Sequence, residues 1–273
     1  DADQQLDIPQ TALQSYNQMM WFDGNTAFCQ AAHNANLDVG TDNFSYSVWI
    51  MLSGDLKGSG ESYYIFSKGG AGNEGYALRI SGSDLKIRAN IDQGDNTWLY
   101  SNNAITAGKW YHIVVTHDRA GYMRLFVNGE EDTGGSNFPY NISSLSGSLN
   151  YSGGRPLSIG AYGATASGSP FAGIITEWSL WGGGSAGDCV LTQSEINELY
   201  NDGKALDATK HSLFATKCLG YYRNNGLASW TNYATVADSG ATTTAAADLT
   251  VTNGTETILQ QAGVDASRDC QGF

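Results

Sequence analysis

The sequence predicts an all-β protein: a two-sheet antiparallel jelly-roll sandwich with one short surface helix. From residue 44 onward, apolar and polar residues alternate with a period of two, which is typical of half-buried strands in antiparallel sheets. At least eight such runs follow one another without a long intervening helix, and clusters of Gly, Asn, Asp and Ser separate them. This succession favours a sandwich or jelly roll over an α/β fold.

The composition excludes several classes of protein. Of the 273 residues, 41% are hydrophobic and only 15% are charged, with 34 Gly, 15 Tyr and 7 Trp, whereas disordered chains show the opposite balance. The net charge is -13 and the 14 basic residues are scattered, whereas nucleic-acid binders cluster theirs. No apolar run reaches the ~18 residues of a membrane span. We therefore expect no nucleic-acid partner and no membrane partner.

The first long strand is predicted in the run NFSYSVWIML, and further strands in YYIFSK, GYALRIS, LKIRANI, KWYHIVVTH, YMRLFVNG, RPLSIGAY and GIITEWSLW. The alternation in the first run places on one face Phe44, Tyr46, Val48 and Ile50. The pair Asn128-Gly129 suits a two-residue hairpin turn, because both of its central positions need positive φ. Trp178 and Trp181 alternate with apolar residues, which predicts a place in the core or at an interface.

One short helix is predicted in the run LTQSEINELYNDG. Thr192 and Glu195 form a capping box, and Gly203 supplies a C-terminal stop. Apolar residues at helical spacing lie between these signals, at Ile196, Leu199 and Tyr200. The pattern indicates a helix of about three turns on the surface.

The composition then shifts to Ala, Thr, Asn and Gly, with a short strand predicted in DLTVTN. This stretch holds too few large apolar residues to bury a core of its own. We therefore divide the chain into an N-terminal arm, a jelly-roll domain and a C-terminal extension that packs on the domain or on a neighbouring subunit, with bounds 1–19, 20–203 and 204–273.

Four cysteines leave their redox state open. Cys29, Cys189, Cys218 and Cys270 form no CxxC pair, and the four His are not spaced like zinc ligands. Two disulfides would suit an extracellular or virion-surface protein, and free buried thiols are an equal alternative. The sequence does not choose among the three connectivities.

The run IDQGDNTWLYSNN is the best candidate for a binding site. It supplies Asp92, Asp95, Asn96, Trp98 and Tyr100 within nine residues. Aromatic rings stack on sugar rings, and carboxylates and amides bind their hydroxyl groups, so these residues predict a carbohydrate site. Two of the carboxylates, Asp92 and Asp95, could also hold a structural Ca²⁺, which prefers oxygen ligands; no other cofactor is expected. The alternative is a polar hairpin loop from which Trp98 returns to the core.

The sequence offers no catalytic centre. It contains no HExxH helix and no GxxxxGK[ST] phosphate loop. His112 could act as a general base, but no nucleophile accompanies it and it alternates in phase with Trp110 and Val114, so we predict a structural histidine. His117 and Asp118 could touch a cation, and a simple turn is the preferred interpretation. We expect that the protein is not an enzyme.

Several motifs in order resemble the laminin G-like jelly roll of the concanavalin A-like lectin and glucanase superfamily. They are FDGNTAF, NFSYSVWIML, IFSKGGAGNEGYALRI, AGKWYHIVVTHD, MRLFVNGE, LSIGAY, FAGIITEWSLW and LTQSEINELYNDG. The resemblance covers roughly residues 20 to 203 and implies a lectin-like sandwich. Glucanase members carry E-x-D-x-x-E on one strand, and no such string occurs here. The fold hosts lectins, adhesins, hydrolases and structural modules alike.

The family geometry also brings the first and last strands close together. This implies two disulfides, Cys29 with Cys270 and Cys189 with Cys218.

A second resemblance lies in YYRNNGLASWTNYATVADSG and ETILQQAGVDASRDCQGF. These runs are similar to a segment that follows laminin G-like domains in structural proteins of marine tailed phages. The resemblance implies a virion-surface protein in an oligomeric assembly with other virion subunits: a capsid decoration, a head fibre or a tail-associated appendage, with a sandwich for binding host or environmental glycans.

The alternative is a secreted or cell-surface carbohydrate-binding adhesin module. It fits four N-x-S/T sequons, which begin at Asn43, Asn141, Asn150 and Asn253.

Overall fold

The computed structural model describes residues 19–54, 56, 61–69, 75–94, 97–150, 154–163, 169–236 and 248–257. Two antiparallel sheets and short helices form this part of the chain, as the sequence predicts. The strands are β1 Met19–Asp23, β2 Phe28–Ala31, β3 Phe44–Leu52, β4 Ser62–Lys68, β5 Gly75–Ser81, β6 Lys86–Asp92, β7 Thr97–Ala104, β8 Trp110–His117, β9 Tyr122–Val127, β10 Glu130–Glu131, β11 Tyr140–Asn141, β12 Leu157–Ile159, β13 Ala172–Trp181, β14 Cys218–Tyr222, β15 Ser229–Trp230, β16 Leu249–Thr252 and β17 Thr255–Thr257. The α-helices are α1 Gln193–Tyr200 and α2 Phe214–Lys217, and single 3₁₀ turns lie at Ala35–Leu37, Gly184–Ala186, Asn201–Gly203 and Ala208–Lys210.

The first sheet runs in the order β10-β9-β8-β3-β13-β1-β17, with β11 on β9 and β14 on β13. The second sheet runs β15-β16-β2-β12-β4-β5-β6-β7. Their facing sides form the main core, where the Phe66 ring packs edge-on against Tyr46 at 4.8 Å and against Trp178 at 5.4 Å. No described helix is long and apolar enough to cross a membrane.

β3 is buried on both faces rather than on one. The four residues that alternation places on one face, Phe44, Tyr46, Val48 and Ile50, line the main core. The opposite face of the first sheet is covered by α1 and the segment that follows it, which form a second apolar cluster that includes Trp181, Ile196, Leu199, Phe214 and Tyr221. The first sheet is therefore a middle layer between the second sheet and these helices.

Local signals in the sequence predicted two of the connections. Asn128 and Gly129 both have positive φ, 53° and 83°, in the turn between β9 and β10. The capping box at the start of α1 is present in full. The helix is shorter than predicted, because Asn201 takes the left-handed conformation and ends it two residues before Gly203.

Strands beyond residue 203 belong to both sheets. β14 pairs with β13, β16 pairs with β2 and β17 pairs with β1, all antiparallel. The strand predicted in DLTVTN is β16. The division of the chain at residue 203 stays a prediction, and the described residues to Thr257 are hydrogen-bonded into the sandwich.

A loop covers the free edge of β7. The backbone N–H of Asn102 donates to both carboxylate oxygens of Asp132, at 3.1 and 2.9 Å. The Tyr100 N–H donates to the Ser136 carbonyl at 3.3 Å, and the Asn137 amide donates to the Trp98 carbonyl at 3.3 Å. Three edge groups of this strand are thus satisfied within the chain.

A buried charged cluster joins β13 to β14. Glu177 has a positive φ of 51° at the register shift between Thr176 and Ser179. Its carboxylate accepts a hydrogen bond from the Tyr221 hydroxyl and lies 3.3 Å from the Arg223 guanidinium. Burial raises the pKa of Glu177 to about 7 in spite of the nearby arginine.

The cysteines differ from the predicted disulfides. Cys29, Cys189 and Cys218 are free buried thiols, so the predicted Cys189–Cys218 bond is not formed in this structure. Both thiols lie in the second apolar cluster, where each packs as a small hydrophobic side chain. The predicted partner of Cys29, Cys270, lies outside the described residues.

The Glu177 cluster predicts a pH-dependent stability. The raised pKa means that the folded state holds the Glu177 proton more tightly than the unfolded state, so the free energy of unfolding should fall as pH rises from 4.5 to about 7. Glu177→Gln removes this titration. The difference in the free energy of unfolding between the native protein and this variant should therefore change by on the order of 3 kcal/mol between pH 4.5 and about 7. Urea unfolding at several pH values measures it, with exposed Glu61→Gln as the control. A difference that does not vary with pH would contradict the prediction.

The thiols should be unreactive in the folded protein. Burial raises the pKa of Cys189 to about 11 and also raises those of Cys29 and Cys218, and only the thiolate reacts readily. Iodoacetamide at pH 8 should leave these three cysteines unmodified in the native protein. In guanidinium, it should alkylate all three without a reductant, as peptide mass spectrometry would show. Alkylation of Cys189 and Cys218 only after reduction would show that they form a disulfide instead.

Candidate functional site

The candidate site lies on the outer face of the second sheet. Along β4 to β7, alternate residues enter the core, and the residues between them point away from it. We call these outward residues the arginine-aromatic face, defined as Tyr64, Arg79, Arg88, Asn90, Asp92, Trp98 and Tyr100.

Three of the five predicted binding residues lie on this face: Asp92, Trp98 and Tyr100. Trp98 is half-buried and its neighbour Leu99 enters the core, so the alternative in which Trp98 returns to the core is wrong. The other two, Asp95 and Asn96, lie outside the described residues.

Pairing register aligns the charged and aromatic side chains across four strands. Tyr64 pairs with Arg79, Arg79 with Arg88, and Arg88 with Tyr100. Directly opposite residues in an antiparallel pair have Cβ atoms about 5 Å apart. The row therefore forms one contiguous strip across the sheet, and Asn90 and Trp98 form a second pair beside it.

Cation–π contacts hold the rings and guanidinium groups together. The Arg79 Cζ lies 4.0 Å from the Trp98 ring centroid and 5.6 Å from that of Tyr64. The Arg88 Cζ lies 4.9 Å from the Tyr100 centroid. Such contacts contribute about 0.5–1 kcal/mol each when exposed and more when desolvated. They fix the orientation of the side chains before any ligand arrives.

Polar groups line one end of the face. Asp92 is 5% exposed and its carboxylate accepts the Gly94 N–H at 2.7 Å. The Asn90 amide donates to the Thr97 carbonyl at 2.8 Å. The Tyr162 ring lies 4.6 Å from that of Tyr64, and burial, with smaller contributions from Tyr64 and Asp92, raises the pKa of Tyr162 to about 12. Its neutral hydroxyl can both donate and accept hydrogen bonds.

Sequence reasoning missed Tyr64, Arg79, Arg88, Asn90 and Tyr162. A weak signal existed, because both arginines alternate with core residues along their strands and therefore occupy outward positions. Their meeting depends on the register of β5 against β6, which alternation within one strand does not reveal.

The histidine identified in the sequence is structural. The His112 Nε2 lies 2.8 Å from the Ser47 Oγ, which resembles a catalytic dyad. However, His112 is 1% exposed, Trp49 stacks on its ring at 5.0 Å, and burial lowers the pKa of His112 to about 3. No substrate can reach this pair. His117 is likewise buried and stacks on Phe44 at 4.0 Å, so it does not contact a cation.

Among the described residues, neither a cluster of acidic side chains nor the cavity beside β7 forms a metal site. The described part of the chain contains no group of three or more His, Cys, Asp or Glu placed to hold a metal ion. A cavity of about 480 Å³ lies between the end of β7 and β10, beside Asn102, Glu131 and Asp132. Two of its three carboxylates already have partners, since Asp132 accepts the Asn102 N–H and Glu131 pairs with Arg124.

Comparisons with known proteins agree with this architecture. Among solved structures, a candidate carbohydrate-binding protein from Bacteroides ovatus superposes with a TM-score of 0.56 at 18% identity, covering 88% of this chain and 60% of that one. A heptameric SAP-like pentraxin from Limulus polyphemus gives 0.48 at 14% identity, covering 67% and 81%. At 18% identity, the likeness to the Bacteroides ovatus protein shows the fold alone.

One curated relative is a much longer protein. Botulinum neurotoxin type D, from Clostridium botulinum D phage, is 30% identical over 95 residues, which are 33% of this chain and 7% of the toxin. A family model of the concanavalin A-like lectin/glucanases superfamily matches residues 23–197, more than half of the chain. The chain therefore belongs to the concanavalin A-like lectin/glucanases superfamily, as a laminin G-like member.

Proposed function

We propose that this protein is a non-catalytic carbohydrate-binding module that holds a glycan on the arginine-aromatic face. The observation that carries the proposal is the partly exposed Trp98, held in place by Arg79 at 4.0 Å and flanked by the amide of Asn90. Superfamily membership and the likeness to a candidate carbohydrate-binding protein support it.

The chemistry of the face suits a sugar. The apolar C–H face of a pyranose packs on an aromatic ring, and its hydroxyl groups pair with the amide, carboxylate and phenol groups beside that ring. Tyr162 supplies a partly exposed phenol at one end, and Asn90 and Asp92, which are 6% and 5% exposed, supply a largely buried amide and carboxylate there. The rings are already positioned by their arginines, so binding orders few side chains and loses little conformational entropy.

Calcium remains a proposal beside this site. Asp92 and Asp95 are the proposed oxygen ligands; Asp92 is the last residue of β6, and Asp95 lies outside the described residues.

We also propose a setting for the module: the surface of a virion, as a capsid decoration, head fibre or tail-associated appendage in an assembly with other virion subunits. The similarity of the C-terminal runs to segments of phage structural proteins supports it. The alternative is a secreted adhesin.

Trp98→Ala should weaken glycan retention at least tenfold, which corresponds to about 1.4 kcal/mol. The loss of the stacking surface is the physical reason. A glycan array followed by affinity electrophoresis in the retained polysaccharide measures it. Tyr122→Ala is a matched control, because Tyr122 is 41% exposed on the first sheet and also lies near an arginine, Arg124, at 5.7 Å. Equal retention by Trp98→Ala and the native protein would remove this site.

The virion setting has its own test. When the culture medium and lysate of cells that produce this protein are separated on a density gradient, an antibody to this chain should detect it in the virion band. A secreted adhesin would stay in the soluble fraction. Replacing residues 258–273 by a Gly/Ser segment should prevent incorporation yet keep the thermal unfolding midpoint, because β16 and β17 end before residue 258. Detection only in the soluble fraction, or normal incorporation of the replaced chain, would argue against this role.

A further inference from the structure

We infer that the ligand of the arginine-aromatic face carries a negatively charged group, a carboxylate or a sulfate ester, which Arg79 and Arg88 bind together. The inference rests on the proposed glycan-binding function and names the class of glycan.

The first step is the placement of the two arginines. Arg79 and Arg88 are directly opposite each other in the antiparallel pair of β5 and β6, on the same face. Like charges in this position destabilise a sheet. A negatively charged ligand between them would turn this repulsion into attraction for both side chains.

The second step is the shortage of negative charge around them. Within the described residues, no carboxylate lies within ion-pair distance of Arg79, and Arg88 pairs with Asp84 at 3.1 Å. Alternation along β6 also places Lys86 on this face, again without a carboxylate at ion-pair distance among the described residues. Among the described residues, one of these three cations has an ion pair, and the buried Asp92 is a further carboxylate on the face, in a chain whose net charge is -13.

The third step is the supply of unused donors. The Nη1 of Arg79 donates to the Ser62 hydroxyl at 2.9 Å, and the Nη2 of Arg88 donates to Asp84. In the described structure, the other terminal nitrogens, Nη2 of Arg79 and Nη1 of Arg88, have no acceptor and are not buried. The Nε atoms of both are buried without an acceptor there. Two strands thus present open N–H groups to the same strip of surface.

The fourth step is the kind of anion. Arginine favours planar carboxylate and tetrahedral sulfate groups, which accept two hydrogen bonds at once. Trp98 and Tyr100 lie against these guanidinium groups, so a sugar ring on the aromatic side would bring its acidic substituent to the arginines. A long polyphosphate is disfavoured, because the remaining surface is acidic and nucleic acids need extended basic stripes. The geometry points to an acidic polysaccharide.

The experiment compares polysaccharides that differ only in charge. Affinity electrophoresis of the full chain would use polygalacturonate against its methyl ester for the carboxylate, and dextran sulfate against dextran for the sulfate. We expect at least one charged member to retain the native protein tenfold more than its neutral counterpart, with retention falling as NaCl increases. The pair that shows the difference identifies the anion.

Variants connect the preference to the two arginines. Arg79→Gln and Arg88→Gln should each lower retention of the charged polysaccharide about tenfold. Arg79→Lys keeps the positive charge and should be retained more strongly than Arg79→Gln. The matched control is Arg124→Gln, since Arg124 lies near an exposed tyrosine on the other sheet and should not affect retention. Thermal unfolding of each variant shows that the fold persists, and Arg88→Gln provides the test if Arg79→Gln does not fold.

The outcomes separate this inference from the proposed function. Suppose that the charged and neutral polysaccharides of a pair retain the native protein equally and that Trp98→Ala loses this retention. That result would overturn the inference of an acidic ligand, and the proposed glycan site would still hold. Retention that the arginine variants do not change would also overturn it, as would equal retention of double-stranded DNA, which would indicate a general polyanion surface. No retention of any panel member or array glycan would count against both.

Discussion

The register of β4 to β7 is the constraint on which the core and the site both depend. Successive side chains of a strand point to opposite faces, so the same hydrogen bonds that place Tyr76, Leu78 and Ile80 in the core also place Arg79 outside it. A slip of one residue would exchange the two sets. The large apolar residues on the inner face therefore hold the ligand-facing residues in position, and the site is as rigid as the core behind it.

This dependence explains what could be predicted from the sequence. The sandwich was predicted from alternation, the β9–β10 turn from Asn128-Gly129, and the start of α1 from its capping box, because each signal lies within a few residues of the structure that it determines. The cover over the first sheet was not predicted, because it joins Trp181 to Phe214 and Tyr221 across long separations. The strip of Tyr64, Arg79, Arg88 and Tyr100 draws on four strands and was missed for the same reason. Trp98 was proposed from the sequence because the run around it is rich in residues that suit sugar binding, and its role in binding stays a prediction.

Net charge and local charge lead to different expectations. A total of -13 disfavours partners that need attraction over the whole surface. It says nothing about a strip two strands wide, where screening limits the reach of charge to about a Debye length, ~8–10 Å. An acidic protein that places its few cations beside aromatic rings can bind one charged group selectively. Elsewhere it repels polyanions, which strengthens that selectivity.

The loop over the edge of β7 also limits how copies of this protein can associate. A sheet with an open edge can grow by accepting a strand from another molecule, and repeated growth of that kind leads to fibres. Here the edge groups of Tyr100 and Asn102 are already bound by Ser136 and Asp132, so strand addition beside the arginine-aromatic face is closed. Any multivalent array of this protein would have to join its copies elsewhere, which keeps every ligand face open for avid binding to a repeating polymer.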